Sequence, residues 1–210
     1  MSLKHYLAKI QKNLEEREKT KEEVQSIMRK ATRLSKQAIF FIHQNKIEKA
    51  KRMLRETKDL FKKLHSKCVN YPELVHSGIV DAALEEYAEA QIFLSLVQNG
   101  SFVGPEEIDV PPISYVLGLT DVIGELRRRA LDSLRKGDFK SAEKCLELME
   151  TIYIEVMGME EAYMLVPGLR RKCDLARRII ETTRGELTIE ARRLSLEEAI
   201  KRLERKMKTR

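Results

Sequence analysis

The sequence predicts an all-α protein, an antiparallel bundle of six to seven helices forming a single domain over residues 1–210. Three observations carry that expectation. No stretch alternates apolar and polar residues with period two for long enough to make a strand. Apolar residues recur instead at three- and four-residue spacing along nearly the whole chain, the signature of amphipathic helices. The composition is that of long helices: 35% charged, 42% hydrophobic, 9 Gly, 5 Pro and no Trp in 210 residues. A chain of this length buries a substantial core.

The elements follow in order. Leu3, Tyr6, Leu7, Ile10 and Leu14 start a stripe that resumes at Val24, Ile27, Met28, Ala31, Leu34, Ala38 and Phe41. No breaker separates the two parts, so one helix is expected to about residue 43. Asn45 with Glu48 reads as an N-cap pair for a second helix carrying Ile47, Ala50, Leu54, Thr57, Phe61 and Leu64. Asn70-Tyr71-Pro72 reads as the start of a third helix to about Gln98, ended by Asn99-Gly100. A loop, Ser101–Pro112, holds three of the prolines. A fourth helix is expected over about 113–136. Gly137 stops it, and Asp138 caps a fifth to about Met157. Pro167-Gly168 opens a last segment to about residue 207, weakened at Gly185.

Several function classes fall away on composition. The longest purely apolar runs, AIFFI at 38–42 and AYMLV at 162–166, are far short of the roughly 20 residues that span a bilayer. The N-terminus lacks a signal-peptide core. Cys68, Cys145 and Cys173 are scattered and odd in number, which argues against a disulfide framework and against zinc; buried free thiols are expected. The expected setting is cytoplasmic. Residues 1–67 carry 19 Lys/Arg against 8 Asp/Glu, residues 68–167 carry 7 against 18, and residues 168–210 carry 14 against 7. Two basic arms thus flank an acidic middle, and basic arms suit a polyanionic partner.

Within the acidic middle, Glu86 and Glu89 lie three apart in LEEYAEA (84–90) and are neighbours on a helix surface. At about 100° per residue, Glu86 lies about 55° from the centre of the apolar stripe and Glu89 about 115°. Glu85 reads as a solvent residue. Asp121 and Glu125 lie four apart in YVLGLTDVIGEL (115–126), an otherwise apolar stretch. Gly118 and Gly124 leave parts of that helix bare for a close neighbour. If the two helices face each other, four carboxylates converge and need compensation. All-oxygen ligation favours Mg2+ or Mn2+, and such a site can activate water toward a phosphodiester. The plainer reading, solvated acids on helix faces, stays open, because ExxE and DxxxE spacings are routine on exposed helices. Arg29, Arg33 and Lys36 follow 3–4 spacing on the first helix and form a ridge able to track a phosphate backbone. His5, His43, His65 and His76 show no metal-binding spacing and read as core-edge or surface residues. The basic tail Arg202–Arg210 reads as a frayed end. No phosphate-binding loop or nucleophile motif is present.

The blocks LSKQAIFFIHQ (34–44), ALEEYAEAQIFLSLVQNGSFV (83–103) and ISYVLGLTDVIGELRRRALDSLRKGDF (113–139) together resemble the translin family, and most its factor X-like branch. The resemblance covers about residues 1–190. It implies a bundle of about seven helices, closed hollow homo-oligomers, and binding of single-stranded RNA or DNA. On the factor X-like side it implies a Mg2+-dependent endoribonuclease. In EYAE, Glu86 and Glu89 match the family's acidic pair, and in DVIGEL, Asp121 and Glu125 match the second. The resemblance makes these four the metal-holding and catalytic residues. Translin-type subunits lack part of that set, including the Asp. Lys36 and His43 match a family Lys and His, and Arg29 a basic position. Gln37 departs from a family Arg, and the C-terminal stretch RRLSLEEAIKRLERKMKTR looks longer than the usual tail. The expectation is therefore a metal-dependent endoribonuclease of single-stranded RNA in a closed homo-oligomer. The alternatives are a non-catalytic binder of single-stranded RNA or DNA, and a helical interaction protein.

Overall fold

A computed structural model describes residues 2–208, the side chains of His65 and Ala162 excepted. The expectations for His65 and for the last two residues of the basic tail lie outside the described residues. Among the described residues there are eight α-helices, one 3-10 turn and no strand, so the all-α expectation holds. None of these helices is long and apolar enough to cross a membrane. The chain forms two compact units, Met1–Gly118 and Leu119–Arg210.

The first unit contains α1 (Leu3–His43), α2 (Ile47–Lys67), the 3-10 turn (Pro72–His76), α3 (Gly78–Asn99), α4 (Pro105–Ile108) and the start of α5 (Pro112–Arg135). Met28, Ala31 and Ile42 of α1, Ala50, Leu54 and Leu64 of α2, and Tyr87, Ile92 and Phe93 of α3 are almost wholly buried. Each large apolar side chain among them is worth about 1.5–3 kcal/mol of burial. α3 is the central element, buried around most of its circumference between Tyr87 and Leu96. The second unit contains the rest of α5, α6 (Phe139–Met157), α7 (Glu160–Leu165) and α8 (Leu169–Lys208). Its core includes Met149 and Ile152 of α6 and Leu169, Cys173 and Ile180 of α8.

Most boundaries fall where the sequence puts them. α1 runs unbroken to His43. Gly100 closes α3 in the left-handed region (φ 69), with its N–H on the Leu96 carbonyl. Gly137 (φ 77) ends α5. Asp138 caps α6 by accepting the Ser141 N–H at 3.0 Å. The three cysteines are buried and free. Three expectations need correction. Asn45 does not cap α2: it adopts φ 58 and turns the chain out of α1, and the N-cap position is Lys46 with no side-chain hydrogen bond. Asn is among the few residues that tolerate this conformation. Pro72 starts only a five-residue 3-10 turn, because extended Ser77 (ψ 146) breaks the ladder before α3 begins at Gly78. Residues 105–108, expected to lie in a loop, form the short α4, and 160–165, for which the sequence reading named no element, form α7. α8 runs helical through Gly185 to Lys208.

Candidate nucleic-acid groove and acidic residues

α1 and α3 leave a groove of about 460 Å³ between them. Arg29, Thr32, Arg33, Lys36, Gln37 and Phe40 line it from α1, and Ile79 and Ala82 from α3. Arg29, Arg33, Lys36 and Phe40 are spaced four, three and four apart, so one ridge of α1 carries all of them. Its basic members are exposed, because the opposite face of α1 supplies Met28, Ala31 and Ala38 to the core. The ridge expected from sequence is therefore present, and it borders a concave surface.

Lys36 ties this ridge to the first acid pair. Its ammonium lies 3.1 Å from Glu86 Oε1, with the two side chains 62% and 25% exposed. An ion pair this open to water is worth about 0.2–1 kcal/mol. Glu86 lies seven residues after Ile79 and four after Ala82, on the same strip of α3 that lines the groove. Glu89 corrects the sequence reading. It is only 9% exposed, more buried than Glu86, although helical geometry put it further from the apolar stripe. Glu85, expected in solvent, is half-buried. The reason is a second packing partner. A Cβ at Gly118 of α5 would lie 2.7 Å from the Glu85 carbonyl and 2.8 Å from the Glu89 N–H. α5 thus covers the side of α3 that a one-stripe reading assigns to water. Tyr87 and Ala90 are core, as expected. The Tyr87 ring meets Phe61 edge-on at 5.4 Å. Its hydroxyl accepts the Gln91 amide at 2.7 Å, and burial pushes its pKa up.

In the second unit, both oxygens of Asp121 receive the Lys172 ammonium, at 2.6 and 2.5 Å. The two side chains are 34% and 25% exposed. Lys172 was missed at the sequence level. It sits 51 residues away in the run LRRKCD, and nothing in that run marks one basic residue above the others. Glu125 is half-buried, one turn beyond Asp121. Nearby on α5, Arg127 grips Glu186 of α8 with two hydrogen bonds, at 3.0 and 3.1 Å, and donates to the Thr183 hydroxyl at 2.7 Å. Gly124, expected to admit a neighbour, faces open space. Of the histidines, His43 packs its ring 5.0 Å from Phe93 and is half-buried. His5 and His76 are exposed. The structure therefore brings Arg29, Arg33 and Lys36 onto one groove, Lys36 onto Glu86, and Asp121 onto Lys172. Among the described residues, no group of three or more His, Cys, Asp or Glu is arranged to hold a metal ion.

Comparison with known proteins agrees with the fold. The model of the Translin family matches residues 19–183. An uncharacterised protein of Methanocaldococcus jannaschii is 31% identical over 193 residues, covering 91% of this chain and 85% of that protein. The solved structure of AfC3PO is 36% identical, with a TM-score of 0.80, and covers 90% of this chain and 99% of that one. The same protein in complex with duplex RNA gives a TM-score of 0.79 over 90% and 98% of the two chains. Apo-NeC3PO, at 23% identity and a TM-score of 0.76, shares the fold. The family match spans most of the sequence and the M. jannaschii relative spans nearly all of it: the chain belongs to the translin family.

Proposed function

We propose that this chain binds RNA and cuts single-stranded RNA as a metal-dependent endoribonuclease, working as a closed, hollow homo-oligomer. The observation that carries the reading is the cationic ridge Arg29–Arg33–Lys36, whose last member contacts Glu86. The similarity to AfC3PO, a protein solved with duplex RNA, supports RNA as the polyanion. Arg29 and Arg33 hold phosphates along the groove. Lys36 is shared between Glu86 and an incoming phosphate, so strand binding draws the ammonium off the carboxylate. The resemblance to the factor X-like branch, and not a grouping seen among the described residues, makes Glu86, Glu89, Asp121 and Glu125 the candidate holders of Mg2+ or Mn2+, since carboxylate donors suit a hard divalent cation. When bound, such an ion activates water and neutralises charge on the phosphate. Exposed apolar stripes support self-association: on α1, Leu3, Tyr6, Leu7, Ile10 and Leu14 are each more than half exposed.

A second reading, a binder that does not cut, is favoured by one observation. Glu86 and Asp121 each already face a lysine ammonium. That counter-charge compensates them without a metal. Incubation of labelled single-stranded RNA in Mg2+, in EDTA, and with Asp121→Asn separates the two. The proposal expects cleavage in Mg2+ alone and its loss in both other arms. Cleavage that survives EDTA or the substitution sinks the metal mechanism, and binding without cleavage in Mg2+ and Mn2+ establishes the binder.

A further inference from the structure

We propose that the α1–α3 groove seats one unpaired nucleotide of single-stranded RNA, its base stacked on Phe40 and its phosphates on Arg29, Arg33 and Lys36. This rests on the RNA-binding reading above and adds to it the residue that distinguishes single strand from duplex.

The groove has two chemistries. Three cations line it, and beside them Phe40, Ile79 and Ala82 give it apolar surface. A polyanion alone needs only the cations. A nucleotide needs both, because its phosphate is charged and its base presents a flat π-face. The volume, about 460 Å³, falls within the roughly 300–1,000 Å³ of sites that take small ligands.

Phe40 is the anomaly that points to an aromatic ligand. Its neighbours Ala38, Ile39 and Ile42 are buried, yet Phe40 is 49% exposed. It continues the ridge of Arg29, Arg33 and Lys36, so a large aromatic ring stands in line with three cations. Phe41 does not stack on it: the rings are 5.8 Å apart and tilted by 59°. A base stacked on an exposed aromatic contributes about 1–3 kcal/mol. Within a duplex each base is already stacked on its neighbours and cannot offer its face. A duplex would therefore engage the cations and leave Phe40 unused. The cations supply affinity for either form, and Phe40 supplies the preference for unpaired bases.

The test is fluorescence anisotropy with single-stranded and duplex RNA of equal length, against wild type, Phe40→Ala, Phe40→Trp and Arg33→Ala. Phe40→Ala should weaken single-strand binding about 5- to 150-fold, the span of one stacking contact. It should leave duplex binding and the salt slope unchanged, and Phe40→Trp should restore affinity. Arg33→Ala should weaken both forms and flatten the salt slope. An adenosine analogue, 2-aminopurine, placed in the single strand should be quenched by wild type and not by Phe40→Ala. Equal loss for both RNA forms, or none for either, overturns the assignment. So does a change in assembly mass by light scattering in Phe40→Ala, which would make Phe40 a contact between copies. Wild type that binds neither RNA at low salt overturns the functional reading itself, and this proposal with it.

Discussion

Gly118 has no room for a side chain. Its Cβ would press on the Glu85 carbonyl, the Glu89 N–H and the Ala88 methyl, all at 2.7–2.9 Å. Two of these are backbone atoms, which cannot swing aside. Gly118→Ala should therefore lower the urea midpoint, by about 1–3 kcal/mol of stability. Gly124, six residues on, meets nothing within 4 Å. Gly124→Ala should raise stability by up to about 1 kcal/mol through helix propensity alone. Ser35 is wholly buried, and its hydroxyl has no hydrogen-bond partner among the described residues. Ser35→Ala removes that unmet group and should stabilise by about 1 kcal/mol in the same assay. The thiols of Cys68, Cys145 and Cys173 are pushed above their usual pKa, chiefly by burial. Burial and scarce thiolate together predict no reaction with a thiol reagent near neutral pH until the protein is unfolded, when all three should label.

At the element scale, helix ends and ties between helices set the stability. Hydrogen bonds from Ser141, side chain first and then backbone, hold Asp138 below its ordinary pKa of 3.8. A lowered folded pKa means that the contribution is present above that ordinary value and is lost as pH falls through the lowered one. Asp138→Asn keeps the capping geometry and removes the charge. The stability difference between wild type and this variant should be constant near neutral pH and shrink on acidification below about 4. The Arg127 fork on Glu186 and Thr183 links α5 to α8 through planar, bidentate geometry. Arg127→Lys cannot reproduce it. A loss of about 1–2 kcal/mol in urea unfolding is expected, less than for a sealed site, because the two side chains are 25% and 38% exposed.

For the whole molecule, the arms at the two chain ends carry apolar faces that the described chain does not bury. Burial along α8 ends at Leu187. Beyond it Ile189, Leu196, Ile200, Leu203 and Met207 remain 47–78% exposed. The same pattern marks the first turns of α1. If these stripes hold copies together, Leu7→Gln with Ile10→Gln should lower the assembly mass by light scattering and leave the helical circular dichroism intact. An unchanged mass would remove α1 from the assembly contacts. How much of this was legible in the sequence differs by feature. The stripe of α1 was plain from its spacing, whereas the end of α8 read as a frayed basic tail. That the α1 stripe faces outward was not plain, because an apolar stripe looks the same whether its partner lies in the same chain, in another copy or nowhere.

What the sequence determined by itself is what depends on near neighbours. Helix class follows from the period of apolar residues, the ends at Asn99-Gly100 and Gly137-Asp138 from backbone freedom and capping, and the basic ridge of α1 from 3–4 spacing. The four acids were legible as two close pairs, and their joint role came from the match to family blocks. The tertiary structure decided everything that needs a second element. It buried Glu89 more than Glu86, because α5 packs on the side of α3 that a single stripe leaves to water. It set Lys172 on Asp121 from 51 residues away, Lys36 on Glu86 from another helix, and Phe40 in a groove that exists only because α1 and α3 lie side by side. Local geometry says which way a side chain points from its own helix axis. Only packing says what it meets there.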